Sequence, residues 1–311
     1  MEKEMMIPSP SGDIYAVLTA RDDISGQTSS ESKNRSGGDS DEALSEVISG
    51  DRPLIIMCHG LMMNGSQNPI RGASDSFVGA GYDTLRIDFR GSGRSSGKIT
   101  EMTPLTEVAD LLNVVRFVVL DSGISSEALY EKPFRKIILC GHSLGGLVSL
   151  LAAAYLSGAE VPGLGKILSK TDSTAASPED RALMQSALTG LVLFAPAVNI
   201  ESDSREGRVA YETFDPVNVP EEVEVWGASL SRAYFLTARG LDTFDTISHY
   251  HGPACVLMGE RDRIVELNLA DRITGALPQA EMHIIPRGDH LFSRNSRLRA
   301  TDVAIDFLAR L

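Results

Sequence analysis

Six short apolar runs recur along the chain, and segments with helical spacing separate several of them. The runs are Leu54–Cys58, Leu85–Phe89, Ile137–Cys140, Leu191–Ala195, Cys255–Met258 and Met282–Ile285. Their near-continuous apolar character is typical of parallel strands that are covered on both faces. Helical spacing occurs at Leu105–Leu120, at Leu144–Leu156 and in the last residues from Val303 to Leu311. The alternation predicts an α/β fold in which helices cover both faces of a mostly parallel sheet.

Four segments fall outside this alternation. Residues from Met6 to Thr19 are predicted to form an antiparallel hairpin at the edge of the sheet. Residues 21–51 are rich in Ser, Gly and Asp, so we expect a flexible surface insertion. Residues 158–188 are expected to form a second surface insertion, with a short helix that begins near Ser177. Residues 199–252 carry several aromatic side chains, which favours a cap over a ligand site. The alternative is a small helical subdomain that touches no ligand. The core is then residues 1–198 and 253–311.

Charge and cysteine content restrict the partners of the chain. The formal net charge is −13, whereas nucleic acids and anionic membranes bind clusters of Lys and Arg. We therefore expect a small-molecule ligand, with neither nucleic acid nor stable membrane association. Three cysteines inside apolar runs provide no disulfide framework, and the N-terminus resembles no targeting signal, so a cytoplasmic location is expected. A homodimer through the C-terminus or the cap is compatible with the sequence.

A G-x-S-x-G motif follows the third apolar run and immediately precedes a helical segment. It reads Gly141-His-Ser-Leu-Gly145. A sharp turn between strand and helix lifts such a serine above the sheet, and glycines on either side avoid collisions with the backbone. This context predicts that Ser143 is a nucleophile.

A serine nucleophile needs a histidine to accept its proton and a carboxylate to orient that histidine. Among the six histidines, His290 follows the last apolar run, and we predict that it is the general base. Asp262 follows the preceding run and is predicted to be the orienting acid, with Glu260 and Asp289 as neighbouring loop charges. This order, Ser, then Asp, then His, is typical of one large class of hydrolases.

Two backbone N–H groups are predicted to stabilise the oxyanion of the reaction. Leu144 follows the nucleophile, and Leu61 follows the His59-Gly60 pair at the end of the first apolar run. We expect His59 to shape that loop without proton transfer. The glycine-rich stretch from Asp88 to Gly97 lacks the third glycine of a dinucleotide fingerprint, so we interpret it as a structural loop.

These motifs together resemble the α/β-hydrolase superfamily over nearly the whole chain. Glu101-Met-Thr, Phe214–Pro220 and Pro286–Ser293 look more specifically like the bacterial cinnamoyl or feruloyl esterase group. The resemblance implies an eight-stranded α/β-hydrolase fold with a cap inserted after the sixth strand. It also implies that a cap aspartate and a cap tyrosine, Asp203 and Tyr234, hold phenolic hydroxyls of the substrate. Ala210 stands where members of the group often have a glutamine.

The expected activity is hydrolysis of small aromatic or short-chain esters through an acyl-enzyme, with neither metal nor cofactor. A monoacylglycerol-type lipase, a thioesterase and a peptidase remain alternatives on the same three residues, because those residues specify acyl transfer and the cap selects the acyl group. A receptor that has lost catalysis is the alternative outside enzymes.

Overall fold

The computed structural model describes residues 2–20, 53–121, 134–170 and 177–311. The predicted flexible insertion, residues 21–51, lies outside the described residues. The strands within the described ranges are β1 (Glu2–Ile7), β2 (Ile14–Thr19), β3 (Leu54–Cys58), β4 (Asp83–Ile87), β5 (Ile137–His142), β6 (Leu188–Phe194), β7 (Arg208–Val209), β8 (Glu212–Thr213), β9 (Glu222–Val225), β10 (Ala228–Ser231), β11 (Ala254–Gly259) and β12 (Ala280–Ile285).

The α-helices of the same ranges separate these strands. They are α1 (Ile70–Gly79), α2 (Pro104–Leu120), α3 (Leu144–Leu156), α4 (Leu164–Lys170), α5 (Pro178–Ala187), α6 (Ile200–Glu206), α7 (Arg232–Ala238), α8 (Thr243–Ile247), α9 (Ala270–Ala276) and α10 (Asn295–Leu308). Short 3₁₀ turns lie at Ile99–Glu101 and Leu267–Leu269. None of the helices in the described part of the chain combines the length and the apolar character needed to cross a membrane.

Eight strands form one sheet in the order β1-β2-β4-β3-β5-β6-β11-β12. The six strands from β4 to β12 in this order run parallel, and β2 joins β4 in the antiparallel sense. The hairpin of β1 and β2 forms the predicted edge, and it starts at Glu2, earlier than expected. The predicted α/β fold with an eight-stranded, mostly parallel sheet is therefore confirmed.

Both faces of the sheet are buried, which explains why the strands are apolar at consecutive positions. In β3, Leu54, Ile56 and Cys58 pack in one apolar cluster with residues of α2 and α3. Ile55 and Met57 point to the opposite face and pack with residues of α1 and α10. Side chains alternate along a strand, so a strand between two helical layers has no polar face.

Local signals mark where the helices begin. At the start of α2, the Thr103 hydroxyl accepts a hydrogen bond from the Thr106 N–H, the Thr106 hydroxyl accepts one from the Thr103 N–H, and Pro104 occupies the first helical position. Ser177 caps α5 in the same way, which confirms the short helix predicted near this residue.

The described part of residues 158–188 contributes to the core. Leu164 and Leu168 of α4 and Met184 and Ala187 of α5 are buried in the cluster that includes α2 and α3. The sequence predicted a surface insertion here. The segment is mostly polar, so the four spaced apolar residues that pack against the core did not stand out in its composition.

Strand β4 begins and ends two residues earlier than the predicted run Leu85–Phe89. Asp88 directly follows β4, and its carboxylate accepts hydrogen bonds from the N–H groups of Gly65 (2.7 Å) and Arg94 (2.9 Å). Asp88 therefore organises the glycine-rich loop, which lies beside β3 as a structural loop.

Residues 199–252, here called the cap segment, lie between β6 and β11. They contain α6, two small hairpins (β7-β8 and β9-β10), α7 and α8. The aromatic residues of the cap segment divide into two groups. Tyr234 and Phe235 are buried, and the Phe214 ring packs 4.4 Å from the Phe235 ring. Tyr211 and Trp226 are more than half exposed at 65% and 53%.

Candidate active site

Ser143 lies in a strained turn between β5 and α3. Its backbone dihedrals are φ 53° and ψ −119°, a conformation that residues other than glycine rarely adopt. Such strain costs about 1–3 kcal/mol and persists only where the surroundings enforce it. Here the Ser143 N–H donates to the Phe194 carbonyl (2.9 Å), and the Ser143 carbonyl accepts from the Ala197 N–H (2.9 Å). The turn is therefore attached to the end of β6.

The flanking glycines are required by close backbone contacts. A Cβ atom on Gly141 would lie 2.2 Å from the Gly145 carbonyl oxygen. A Cβ atom on Gly145 would lie 2.4 Å from the His59 carbonyl oxygen and 2.5 Å from that of Cys58. These distances are far inside van der Waals contact, so the start of α3 can approach β3 only without side chains. The G-x-S-x-G spacing is thus a packing requirement of the turn.

The structure brings together the three residues predicted for acyl transfer. His290 Nε2 lies 2.9 Å from Ser143 Oγ, and His290 Nδ1 lies 2.8 Å from Asp262 Oδ2. Because an ionised carboxylate can only accept, Nδ1 carries the proton and Nε2 accepts from the serine hydroxyl. All three residues are buried, with exposures of 7% for Ser143, 7% for Asp262 and 9% for His290.

The loop after β11 holds the second oxygen of Asp262. Asp262 Oδ1 accepts hydrogen bonds from the N–H groups of Ile264 (2.8 Å) and Val265 (3.0 Å). We call residues 262–265 the acid loop. The two neighbouring acids bind elsewhere, since Glu260 accepts from the Arg287 N–H and Asp289 from the Ser293 N–H. Asp262 is therefore the carboxylate that faces His290.

His59 supports the site without joining the hydrogen-bond chain. His59 Nδ1 donates to the Gly60 carbonyl (2.8 Å), and His59 Nε2 accepts from the Phe89 N–H (3.0 Å). Burial lowers the pKa of His59. With both ring nitrogens engaged, this neutral side chain ties the loop after β3 to the loop after β4.

The segment Gly60–Leu61 passes directly beside Ser143. A Cβ atom on Gly60 would lie 3.2 Å from Ser143 Cβ. Leu61 and Leu144 line one cavity with Ser143. Leu144 is the first residue of α3, and N–H groups in a first helical turn have no acceptor within the helix. The two backbone N–H groups named from the sequence thus belong to residues on either side of the serine.

The cavity above Ser143 extends into the cap segment. Asp203, Arg208, Trp226 and Tyr234 of the cap segment line it. Its volume is about 40 Å³. Pockets that bind small organic ligands usually measure about 300–1,000 Å³. In this conformation the cavity has space for only a few water molecules.

The structure places Asp203 and Tyr234 in the same cavity as Ser143. Tyr234 is almost fully buried, and burial raises the pKa of its hydroxyl. The Asp203 carboxylate is already bound on both oxygens. Asn199 Nδ2 donates to Oδ2 (2.6 Å), and Arg208 Nη2 donates to Oδ1 (2.8 Å).

Asn199 and Arg208 also line this cavity, although neither was predicted from the sequence to belong to the site. Arg208 follows Asp203 by five residues, a spacing with no special meaning in a helix followed by a turn. Asn199 precedes α6, where an asparagine is ordinarily interpreted as a helix cap. No sequence signal distinguishes these two residues from surface polar residues.

Comparisons with known proteins identify the family to which the chain belongs. The sequence model of the alpha/beta hydrolase family matches residues 55–301. An uncharacterised 31.7 kDa protein of Escherichia coli, encoded in the traX-finO intergenic region, is 32% identical over 103 residues. That match spans 33% of this chain and 32% of the relative, about a third of each.

Solved structures show the same fold. Est1E from Butyrivibrio proteoclasticus, determined with ferulic acid bound, superimposes with a TM-score of 0.72 at 21% identity, covering 98% of both chains. Mouse alpha/beta hydrolase domain-containing protein 10 gives a TM-score of 0.61 at 14% identity, covering 99% of this chain and 98% of its own. Since the family model covers most of the sequence and the predicted fold is present, the chain belongs to the alpha/beta hydrolase family.

Proposed function

We propose that this protein is a serine hydrolase that cleaves carboxylic esters, with Ser143 as nucleophile, His290 as general base and Asp262 as the orienting acid. The hydrogen-bond chain from Ser143 Oγ through the His290 ring to Asp262 carries the proposal. A serine hydroxyl is a weak nucleophile until a neighbouring base accepts its proton. His290 Nε2 lies within hydrogen-bond distance of that proton.

The reaction proceeds in two halves. Ser143 Oγ attacks the ester carbonyl carbon while its proton passes to His290 Nε2, and the tetrahedral intermediate forms. The carbon–oxygen bond to the alcohol then breaks, and the His290 imidazolium donates the proton to the departing alkoxide. Water then enters and gives a proton to His290 Nε2 as its oxygen attacks the carbonyl carbon of the acyl-enzyme. When this second tetrahedral intermediate breaks down, the bond between the carbon and Ser143 Oγ breaks, the His290 imidazolium returns the proton to Oγ, and the acid is released. Asp262 stabilises the imidazolium in both halves.

The N–H groups of Leu61 and Leu144 are proposed to bind the oxyanion of both intermediates. The close contact between Gly60 and Ser143 and the position of Leu144 at the start of α3 support this assignment. Each such donor contributes roughly 3–4 kcal/mol to transition-state stabilisation in serine hydrolases. The partial positive charge at the start of a helix adds to the effect.

For the substrate, we propose small aromatic esters of the hydroxycinnamate type or short-chain acyl esters. The resemblance of the sequence motifs to cinnamoyl and feruloyl esterases supports this class, as does the fold likeness to a protein that binds ferulic acid. Asp203 and Tyr234 are the proposed partners of a phenolic hydroxyl, because both line the cavity that contains Ser143.

Binding of an aromatic acyl group requires the cap segment to rearrange. The cavity of about 40 Å³ is small beside pockets that bind organic ligands, so we expect part of its cap-segment lining, which includes Trp226, to move when substrate enters. Arg208 holds Asp203 Oδ1, and a phenolic hydroxyl would have to share or replace that contact.

The test compares hydrolysis of p-nitrophenyl butyrate, p-nitrophenyl palmitate and methyl ferulate by the wild-type protein and by Ser143→Ala. We expect the wild type to cleave the butyrate and the ferulate esters and the Ser143→Ala variant to cleave neither. Cleavage of the butyrate ester without cleavage of methyl ferulate would support the proposed esterase activity and exclude hydroxycinnamate esters as its substrates. A preference for the palmitate ester would favour the lipase alternative, and full activity of Ser143→Ala would overturn the proposal.

A further inference from the structure

Asn199 lies where the cap segment leaves the core. It follows β6 and precedes the first residue of α6. Its Nδ2 atom makes two hydrogen bonds, one to Asp203 Oδ2 (2.6 Å) and one to the carbonyl oxygen of Ile264 (2.9 Å). Both partners can only accept, so they determine which end of the amide carries the N–H groups.

Ile264 belongs to the acid loop. Its N–H group donates to Asp262 Oδ1, and its carbonyl oxygen accepts from Asn199. A continuous hydrogen-bond path therefore runs from Asp203, through the Asn199 amide and the Ile264 residue, to Asp262, His290 and Ser143. This path connects the cap side of the cavity with the reacting serine.

Asn199 Oδ1 is buried and accepts no hydrogen bond within the described part of the chain. A buried acceptor without a donor costs free energy, and such groups in folded proteins call for an explanation. The two hydrogen bonds that Nδ2 donates therefore set the orientation of the amide.

We propose that Asn199 is a positioning residue that holds the acid loop and the carboxylate of Asp203 in fixed positions relative to each other. Through Ile264 it fixes the loop that presents Asp262 to His290, and through Asp203 it fixes the group that faces the substrate. The inference deepens the proposed esterase function and rests on it. The two contacts predict two separable effects, one on kcat for every ester and one on KM for esters that reach Asp203.

The experiment measures kcat and KM with p-nitrophenyl butyrate and methyl ferulate for Asn199→Ala, Asn199→Asp and Asn199→Gln. Asn199→Asp keeps the shape but places an oxygen against two acceptors, so it loses both bonds. We expect Ala and Asp variants to lower kcat for the butyrate ester about tenfold, roughly the effect of one or two lost hydrogen bonds, with little change in KM. With methyl ferulate, KM also rises. Asn199→Gln retains the donor and restores part of kcat.

Two controls separate this role from general damage. Ser202→Ala changes a neighbour whose hydroxyl donates to the backbone carbonyl of Asn199 and not to its side chain, and it is expected to keep the wild-type kcat. In an Asp203→Ala background, the Asn199→Ala substitution should lower kcat for the butyrate ester by the same factor as in the wild type, because that effect passes through Ile264. Thermal unfolding shows that each variant is folded.

The inference is overturned if folded Asn199→Asp retains the kcat of the wild type with the butyrate ester. It is also overturned if the kcat effect disappears in the Asp203→Ala background, since the effect would then pass through the cap. A wild-type protein that hydrolyses no ester would instead contradict the proposed function, so the two failures are distinguishable.

Discussion

His142 Nε2 donates a hydrogen bond to the carbonyl oxygen of His290 at 2.9 Å. The centroids of the two imidazole rings lie 4.9 Å apart, and His142 directly precedes Ser143 in the sequence. Burial, with a smaller contribution from His290, lowers the pKa of His142 to about 3. A neutral imidazole thus holds the backbone of the general base from the residue next to the nucleophile.

The first prediction concerns this bond. His142→Leu removes the donor, so the His290 backbone loses one of its constraints, and we expect kcat for p-nitrophenyl butyrate to fall about tenfold, equivalent to about 1.4 kcal/mol. His142→Gln places an amide N–H near the position of Nε2 and is expected to recover much of the loss. Equal activity of the Leu variant and the wild type would show that the bond has no catalytic effect.

A second prediction concerns the approach of α3 to β3. Gly145→Ala would place a methyl group 2.4 Å from the His59 carbonyl oxygen. We therefore expect loss of activity and a free energy of unfolding that is lower by at least about 2 kcal/mol, because extra atoms in a well-packed site destabilise the folded state by this order. Gly79→Ala is the matched control. It lies in α1 with no atom within 4 Å of the added methyl group, and alanine there should be neutral or stabilising. Urea unfolding measures both variants, and equal stability of the two would contradict the packing account.

A third prediction concerns Glu107, a carboxyl group buried in α2. Its Oε2 atom has no hydrogen-bond partner in the described ranges, and burial, assisted by Asp110, raises its pKa well above the ordinary value. The native state therefore keeps this proton at a pH where the unfolded chain has released it. The contribution of this proton to the free energy of unfolding is fully present below pH 4.5, the pKa of the group in the unfolded chain. It is lost as the pH rises through the higher pKa of the folded protein.

Glu107→Gln removes this pH dependence, because the amide does not titrate. Relative to the wild type, we expect the variant to gain stability as pH rises above about 5, by up to about 1.4 kcal/mol per pH unit. Urea unfolding at pH 5, 6.5 and 8 gives the comparison. Glu224→Gln, an exposed position on β9, is the control and should leave the difference near zero. A stability difference between Glu107→Gln and wild type that does not vary with pH would refute the prediction.

A fourth prediction uses Trp226, the single tryptophan of the chain. It lines the cavity with Ser143, and this cavity is small beside pockets that bind organic ligands. Ferulic acid that binds Ser143→Ala should therefore change the environment of Trp226 and give a saturable change in tryptophan fluorescence. Trp226→Phe in the same background gives the tyrosine and ligand emission to be subtracted, and free N-acetyltryptophanamide titrated with the same ligand corrects for absorbance by the ligand. A flat titration, with binding shown independently by calorimetry, would mean that the ligand enters without disturbing the hairpin.

The sequence predicts the sheet well because its strands are buried on both faces. Short continuous apolar runs such as Leu54–Cys58 are typical of such strands, and the positions that follow these runs contain Ser143, Asp262 and His290. In a parallel sheet the carboxyl ends of neighbouring strands meet at one edge, so residues far apart in the chain become neighbours. This geometry, together with the G-x-S-x-G motif, makes the three positions predictable from the sequence.

The cap side of the cavity is less predictable. The contact of Asn199 with Ile264 joins residues 65 positions apart through an amide and a carbonyl, and neither leaves a trace in composition or periodicity. The buried apolar residues of α4 and α5 were difficult to predict for a related reason, because two short helices within a segment that holds several Gly, Pro, Ser and Thr residues resemble a loop. Such features depend on tertiary contacts, which a single sequence does not display.

The most direct test of the central claim is the mass of the intact protein after reaction with a fluorophosphonate probe. We predict one adduct, located on Ser143 by peptide mapping, with no adduct on Ser143→Ala, much slower labelling of His290→Ala, and unchanged labelling of the control Ser157→Ala. A folded wild-type protein that remains unlabelled, or a Ser143→Ala variant that is labelled at the wild-type rate, would contradict the assignment of Ser143 as the activated nucleophile.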